Sequence, residues 1–486
     1  MKKFNISLII NILGTLLLLN GAFMLLCLPF SFTSDHNAAQ AIIIASAITL
    51  ASGALARFLT NRSLTKELSK RDGYLIVTFG WLFMTLFGSL PYLISGYIPN
   101  VVDALFETMS GYTTTGATIL TDIEALPNDL LIWRSITQYI GGMGIIVLAV
   151  AILPILGIGG MQLFGAEAPG ISADKLHPRI KDTALRLWYI YVSLTVLECV
   201  LLMIGDMPFF DALNHSLTTI AIGGFSIKNE SIAAYDSAYI QYVIMAFMII
   251  CATNFTLIYF GVKLRWRKII ENEEFRNYIL MMGLMITIVT IALFQLRETE
   301  FEQAFRDSAF NTISILTTTG YATSDYTNWN PFLTTLFFTL MFVGGCSGST
   351  AGGVKVARLT VLFKNSFAQL KRQMHPSAVI PVRLNGKAVP QDLTFNILAF
   401  IMLYLTIFVF SSIFMSMIGI DFLTAIGGVA SALGNIGPGI GSVGPVDNYA
   451  HLPGIGKWYL SLLMLVGRLE LFTVLMLFTP YFWRRY

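Results

Sequence analysis

The sequence predicts an all-α membrane protein of ten spanning helices and four half-length helices that enter and leave on one face. Three observations carry this. Hydrophobic residues make up 55% of the 486 positions and charged residues only 12%, about half the charged share of a soluble domain. Apolar runs of about 20 residues recur along the whole chain. A short amphipathic motif occurs four times at spacings that leave room for one helical hairpin between copies. Mean hydropathy is +0.70, which excludes a soluble globular domain, a nucleic-acid binder and a disordered chain. Period-two alternation is absent, so helices must do the spanning.

Spans are predicted near 5–30, 38–60, 73–97, 129–157, 184–206, 237–262, 277–296, 331–343 continuing past 354, 393–418 and 456–482. Lys2-Lys3 and the apolar stretch to Phe30 mimic a secretory leader. The stretch is too long for one and lacks a small-residue cleavage site before Ser31-Phe32-Thr33, so an uncleaved first helix is expected. With the N-terminus cytoplasmic, the inside segments hold 24 of the 31 Lys and Arg, while the opposite side holds 17 of the 28 acids. This positive-inside bias predicts both termini in the cytoplasm. The outer carboxylates, Asp103, Glu107, Asp122, Asp211, Asp307, Asp421 and Asp447 among them, predict an outer mouth that concentrates cations.

Four aspartates anchor the repeat. Asp103 begins DALFETMSGYTTTGAT, Asp211 DALNHSLTTIAIGGFS, Asp307 DSAFNTISILTTTGYAT and Asp421 DFLTAIGGVASALGNIG. A glycine follows each by 13 residues: Gly116, Gly224, Gly320 and Gly434. The aspartate, or its neighbour, is expected to cap a short helix, whose C-terminal dipole end favours a cation at mid-membrane. The glycine then frees the backbone to turn its carbonyls sideways. Even numbers of crossings between copies put all four half-helices on the outer face, and four such turns around one axis would make a carbonyl ring of the kind that replaces a potassium ion's water. The division is a two-helix preamble (1–71) followed by repeats at 72–182, 183–272, 273–390 and 391–486, pseudo-symmetric around one pore.

TTTGAT at 113–118, IGGFS at 222–226, LTTTGYAT at 316–323 and LGNIGPG at 433–439 resemble the four pore loops of the Trk/Ktr/HKT potassium transporter superfamily. The preamble resembles that of the Trk branch. The resemblance implies a selectivity filter built from Thr114, Thr115 and Gly116; Ile222, Gly223 and Gly224; Thr318, Thr319 and Gly320; and Leu433, Gly434 and Asn435. K⁺ would be the ion held there and Na⁺ would pass less well, since no loop carries a complete TVGYG. It further implies a bacterial inner-membrane location, a homodimer of pore subunits and a cytosolic nucleotide-binding regulatory subunit of the TrkA type. The cytoplasmic segments 158–183, 263–276 and 358–390 are basic and long enough to dock such a regulator.

The third repeat's second helix is interrupted by Gly344-Gly345-Cys346-Ser347-Gly348-Ser349-Thr350-Ala351-Gly352-Gly353. Each glycine costs a helix about 1 kcal/mol relative to alanine, so the string predicts a loop within the membrane. It reads as a barrier below the turns, the position of the superfamily's gating loop; a close helix-packing contact is the alternative. Lys355 follows it. Arg468, in LLMLVGRLELFTV, is an expensive intramembrane cation that must face protein or water. The resemblance places it by the pore, where it is expected to bond loop carbonyls. Pairing with Glu470 is the alternative.

Glu198 is expected to make an interhelical polar contact rather than to ligate an ion, and His215 to be a packed neutral imidazole rather than a pH-sensitive element. Five histidines and four cysteines show no ligand spacing, and no activated nucleophile or nucleotide-binding glycine pattern appears. Neither an enzyme nor a covalent cofactor is expected. A secondary transporter coupling K⁺ to H⁺ or Na⁺ by alternating access remains the other reading, although such proteins generally show two broken-helix halves rather than four.

Overall fold

The computed structural model describes residues 4–33, 36–60, 69–152, 180–296 and 300–484. The part of the expected docking segment 158–183 up to residue 179 lies outside them. Among the described residues, six helices are long and apolar enough to cross a bilayer by themselves: Ile6–Ser31, His36–Thr60, Arg71–Ser95, Leu185–Ile204, Glu273–Leu296 and Gln391–Met417. Two expected spans are instead bent pairs. Ala238–Cys251 turns into Phe255–Val262 through 108°, and Gly454–Arg468 into Phe472–Phe478 through 111°. Asn128–Ile152 is kinked at Gly144 (φ 72°), and Pro331–Leu340 is separated from Val356–Met374 by the glycine-rich loop. So the second helix of every repeat breaks, not that of the third alone.

Local chemistry sets the boundaries. Ser69 and Asp72 form a reciprocal capping box at the start of the first repeat, and the Asp72 carboxylate also accepts from the Asn5 backbone N–H at 3.2 Å. Asn254 and Asn330 cap the helices that restart after a bend or loop, accepting from Thr256 and Phe332 N–H groups at 2.8 Å each. The preamble helices cross at glycines: a Cβ on Gly14 would lie 2.8 Å from the Gly53 carbonyl oxygen. Small residues at such a crossing let two apolar helices approach without a hydrophobic driving force. The preamble then supports the first repeat, because the Tyr112 hydroxyl donates to Asn20 Oδ1 at 2.6 Å.

The half-helices are Val101–Tyr112, Phe209–Ile220, Phe301–Leu316 and Phe422–Gly434. Twelve residues rise about 18 Å, enough to reach mid-membrane and no further. Their inner residues are almost wholly buried, although many are Ser, Thr, Asn or His. The four therefore sit at the centre of the molecule, sheathed by the spanning helices.

Candidate ion-conduction site

All four half-helices end in the same hydrogen-bonded cap. The N–H of Thr114, Ile222, Thr318 and Asn435 donates to the carbonyl three residues back, in Gly111, Thr219, Ile315 and Ala432. The next N–H, of Thr115, Gly223, Thr319 and Ile436, donates five residues back to Ser110, Thr218, Ser314 and Ser431. This Schellman pattern requires a left-handed residue, usually Gly or Asn. Asn435 meets that requirement (φ 53°), whereas Thr114 (φ 51°), Ile222 (φ 54°) and Thr318 (φ 63°) are β-branched. Each such residue stores on the order of 1–3 kcal/mol of backbone strain, which the surrounding packing must impose.

Two residues beyond each left-handed position stands a glycine with positive φ: Gly116, Gly224, Gly320 and Gly437. These four close a ring. A Cβ on Gly116 would run into the Gly223 carbonyl oxygen, one on Gly224 into that of Thr319, and one on Gly320 into that of Ile436. One on Gly437 would lie 2.7 Å from the Thr115 oxygen, returning to the first loop. An open vestibule is lined by all four glycines.

The fourth loop corrects the sequence register. Gly434 closes its helix, and Gly437 takes the place that Gly116, Gly224 and Gly320 take in the other loops. The aspartate anchor misleads because it is not one structural position. Asp103 and Asp211 lie in the first turns of their helices, Asp307 lies deeper in a longer helix, and Asp421 precedes its own helix. Of the four, Asp421 alone caps as expected, accepting from Thr424 N–H at 3.0 Å. Asp103 instead pairs with Lys457 (2.7 Å), and Asp211 accepts from the Tyr235 hydroxyl (2.7 Å). Asn435-Ile436-Gly437 was the available signal, since asparagine is the common substitute for glycine in a left-handed cap.

The vestibule side of the ring is braced by a pair that sequence reasoning missed. Buried Arg134 and Glu107 meet at 2.6 Å. Glu107 also accepts from Ile119 N–H (2.9 Å), and Arg134 donates to the Ser226 carbonyl (2.7 Å) while lying 3.7 Å over the Phe225 ring. The pair thus joins the chain leaving the first loop to that leaving the second. Breaking one partner of a buried pair typically costs about 3–5 kcal/mol, so Arg134→Ala should lower the thermal midpoint of the purified protein markedly; an unchanged midpoint would show that the brace contributes nothing. The vestibule lining holds Arg134, Lys228 and Asp447 as its charged residues. Most of the outer carboxylates named from sequence therefore lie off that lining, several of them bonded elsewhere.

Below the ring lies the glycine-rich loop. Gly344 and Gly353 pair across its neck. Gly352 N–H donates to Thr318 Oγ1 (2.7 Å), Gly353 N–H to the Gly434 carbonyl (3.0 Å), and Thr350 Oγ1 to the Ile220 carbonyl (3.3 Å). The loop thus touches the inner ends of the second, third and fourth half-helices. Arg468 donates to the Thr350 carbonyl (3.0 Å) and to the carbonyls of Gly141 and Gly142. Gly141 packs on the Tyr112 carbonyl, the inner end of the first half-helix. Glu470 pairs with Arg358 rather than Arg468. Lys355 is buried and donates to the Ala351 carbonyl. Glu274, which the sequence did not single out, accepts from Ser347 N–H (2.6 Å) and Ala357 N–H (3.2 Å) and so holds both limbs. Cys346 N–H donates to the Ala252 carbonyl (2.8 Å), and Phe255 N–H to that of Gly348 (3.1 Å). Gly345 accepts from Val356 N–H (3.1 Å), and Ser349 Oγ donates to the Cys346 carbonyl (2.6 Å).

Two other side chains lie behind the loops. Glu198 is fully buried. His215 contacts the Asp211 carbonyl through Nδ1 (2.8 Å) and Ser226 Oγ through Nε2 (3.0 Å), the packed role expected of it. No cluster of His, Cys, Asp or Glu able to hold a metal occurs among the described residues.

Four helix C-termini converging on a backbone ring offer partial negative charge and no titrating side chain, a setting for a weakly held cation. Comparison with known proteins agrees in kind. The model of the TrkH family, described as a cation transport protein, matches residues 38–484. The Trk system potassium uptake protein TrkH of Halomonas elongata is 42% identical, covering 99% of this chain and all of that one. Its counterpart from Escherichia coli K12 is 40% identical over 98% of this chain and 99% of its own. The crystal structure of the potassium transporter TrkH from Vibrio parahaemolyticus superposes with a TM-score of 0.88 at 38% identity, covering 99% of this chain and all of the other. A multi-pass membrane protein that shares the fold, nearly the full length and about two-fifths of its residues with these transporters belongs to the TrkH family of cation transport proteins, and not to a family of enzymes.

Proposed function

We propose that this protein takes up potassium through a channel-like, gated pore whose filter is the ring at Gly116, Gly224, Gly320 and Gly437. The observation that carries the reading is the cyclic contact of each glycine with the next loop's carbonyl. The relatives are potassium uptake proteins, and that supplies the ion. Carbonyls replace the hydration of K⁺, and Na⁺ passes less well. The filter residues are Thr114-Thr115-Gly116, Ile222-Gly223-Gly224, Thr318-Thr319-Gly320 and, in the fourth loop, Asn435-Ile436-Gly437 rather than Leu433-Gly434-Asn435. Loop 345–353, with Lys355 and Arg468, is the barrier. In the cell the protein works as an inner-membrane homodimer with both termini cytoplasmic. Its barrier is displaced through a TrkA-type nucleotide-binding subunit docked on the basic inner segments.

Isotopic Rb⁺ uptake into liposomes holding the purified protein tests this. Passive uptake that follows the Rb⁺ gradient and is inhibited more by K⁺ than by Na⁺ is expected. Uptake that strictly requires a pH or Na⁺ gradient would replace the pore by a coupled carrier.

A further inference from the structure

The second loop is built differently from the others. At the position just before the ring glycine, the first, third and fourth loops carry Thr115, Thr319 and Ile436, but the second carries Gly223. The missing side chain is supplied from another repeat. A Cβ on Gly223 would fall within the amide of Gln138, a fully buried residue of helix Asn128–Ile152. That amide donates through Nε2 to the Gly223 carbonyl oxygen at 2.6 Å and accepts through Oε1 from the Phe225 N–H at 3.0 Å. Both contacts fix its orientation, because the flipped amide would set oxygen against oxygen and N–H against N–H. Among the described residues, no protein hydrogen bond reaches the equivalent carbonyls of Thr115, Thr319 or Ile436. In the first and third loops a hydroxyl pair does the local bracing instead, Thr113 with Thr115 at 2.8 Å and Thr317 with Thr319 at 2.7 Å.

We infer that Gln138 is a positioning residue that sets ion discrimination through the Gly223 carbonyl, an inference that rests on the proposed pore. Two consecutive glycines make the second loop the softest of the four, since neither has a Cβ to limit its dihedrals. Gln138 spans that soft stretch from the Gly223 oxygen to the Phe225 N–H and keeps the carbonyl at the spacing of the other three. Released, the oxygen can close around a smaller ion, so the loss is expected in Na⁺ rejection.

The test is the ratio of K⁺ to Na⁺ competition against Rb⁺ uptake, with thermal melting measured in parallel. Gln138→Met keeps the volume and removes both hydrogen bonds. It should lower the ratio about three- to tenfold, the effect of one or two neutral hydrogen bonds. Gln138→Ala combined with Gly223→Thr should restore most of the ratio, because a threonine then fills the vacated space as in the first and third loops. A purely structural Gln138 would lower the melting point of Gln138→Met and leave its ratio at the wild-type value, and that result overturns the inference. So does a double variant no more selective than Gln138→Ala alone. Wild-type protein that shows no preference for K⁺ would instead remove the pore reading itself.

Discussion

Gly320→Ser should remove most of the discrimination between K⁺ and Na⁺. At φ 85° a serine is strained before it touches anything. Its Cβ would also overlap the Ile436 carbonyl oxygen and stand 2.8 Å from Pro438 Cδ. Neither is the far end of a flexible chain, so the third and fourth loops must separate. A fall of at least about tenfold in the permeability ratio is expected, equivalent to ~1.4 kcal/mol between the two ions. Gly116→Ser should act similarly through the Gly223 carbonyl.

The fourth loop gives this prediction a sharper form. Gly437→Ser should behave like Gly320→Ser, since its Cβ would lie 2.7 Å from the Thr115 oxygen at φ 104°. Gly434→Ser sits at a helical position, where a Cβ meets Ile436 Cδ1 at 2.9 Å and the Met341 carbonyl at 3.1 Å. The first of those can rotate away, so a smaller change is expected. Equal ratios for Gly437→Ser and wild type, measured by Rb⁺ uptake against competing Na⁺, would remove Gly437 from the filter.

That contrast shows what could be read from the chain and what could not. The spans were legible because about 20 apolar residues in a row have few other uses, and three ring glycines were legible because the first three loops share a length. The fourth slipped by one helical turn because aspartates near a helix start satisfy several roles. Asp421 caps, Asp103 binds Lys457, and both count alike in an alignment. The breaks at 252–254 and 469–471 were invisible to hydropathy, which averages over a window longer than the break. What marks them is local: Asn254 capping a new helix, and Glu470 and Leu471 at positive φ. Gln138 and the Arg134–Glu107 pair were out of reach altogether, because their partners are 85 and 27 positions away and only the folded ring brings them together.

Removing the proposed barrier should raise flux with no regulator present. Arg468 ties the loop to the first repeat's kinked helix through the carbonyls of Thr350, Gly141 and Gly142. Hydrogen bonds from a charged donor are worth about 1.5–3 kcal/mol each, so Arg468→Ala should raise basal Rb⁺ uptake on the order of tenfold or more. Arg468→Lys should fall between, because a single ammonium cannot reach both sides with the fixed fork of a guanidinium. Deleting Gly345–Gly353 should go further, since the loop's contacts to Thr318, Ile220 and Gly434 disappear together. The loop also holds the inner ends of three half-helices, so the K⁺ preference of the deletion variant should drop while that of Arg468→Ala persists. If both variants melt near the wild-type temperature and neither conducts more than wild type, the barrier lies elsewhere and the loop is a packing element.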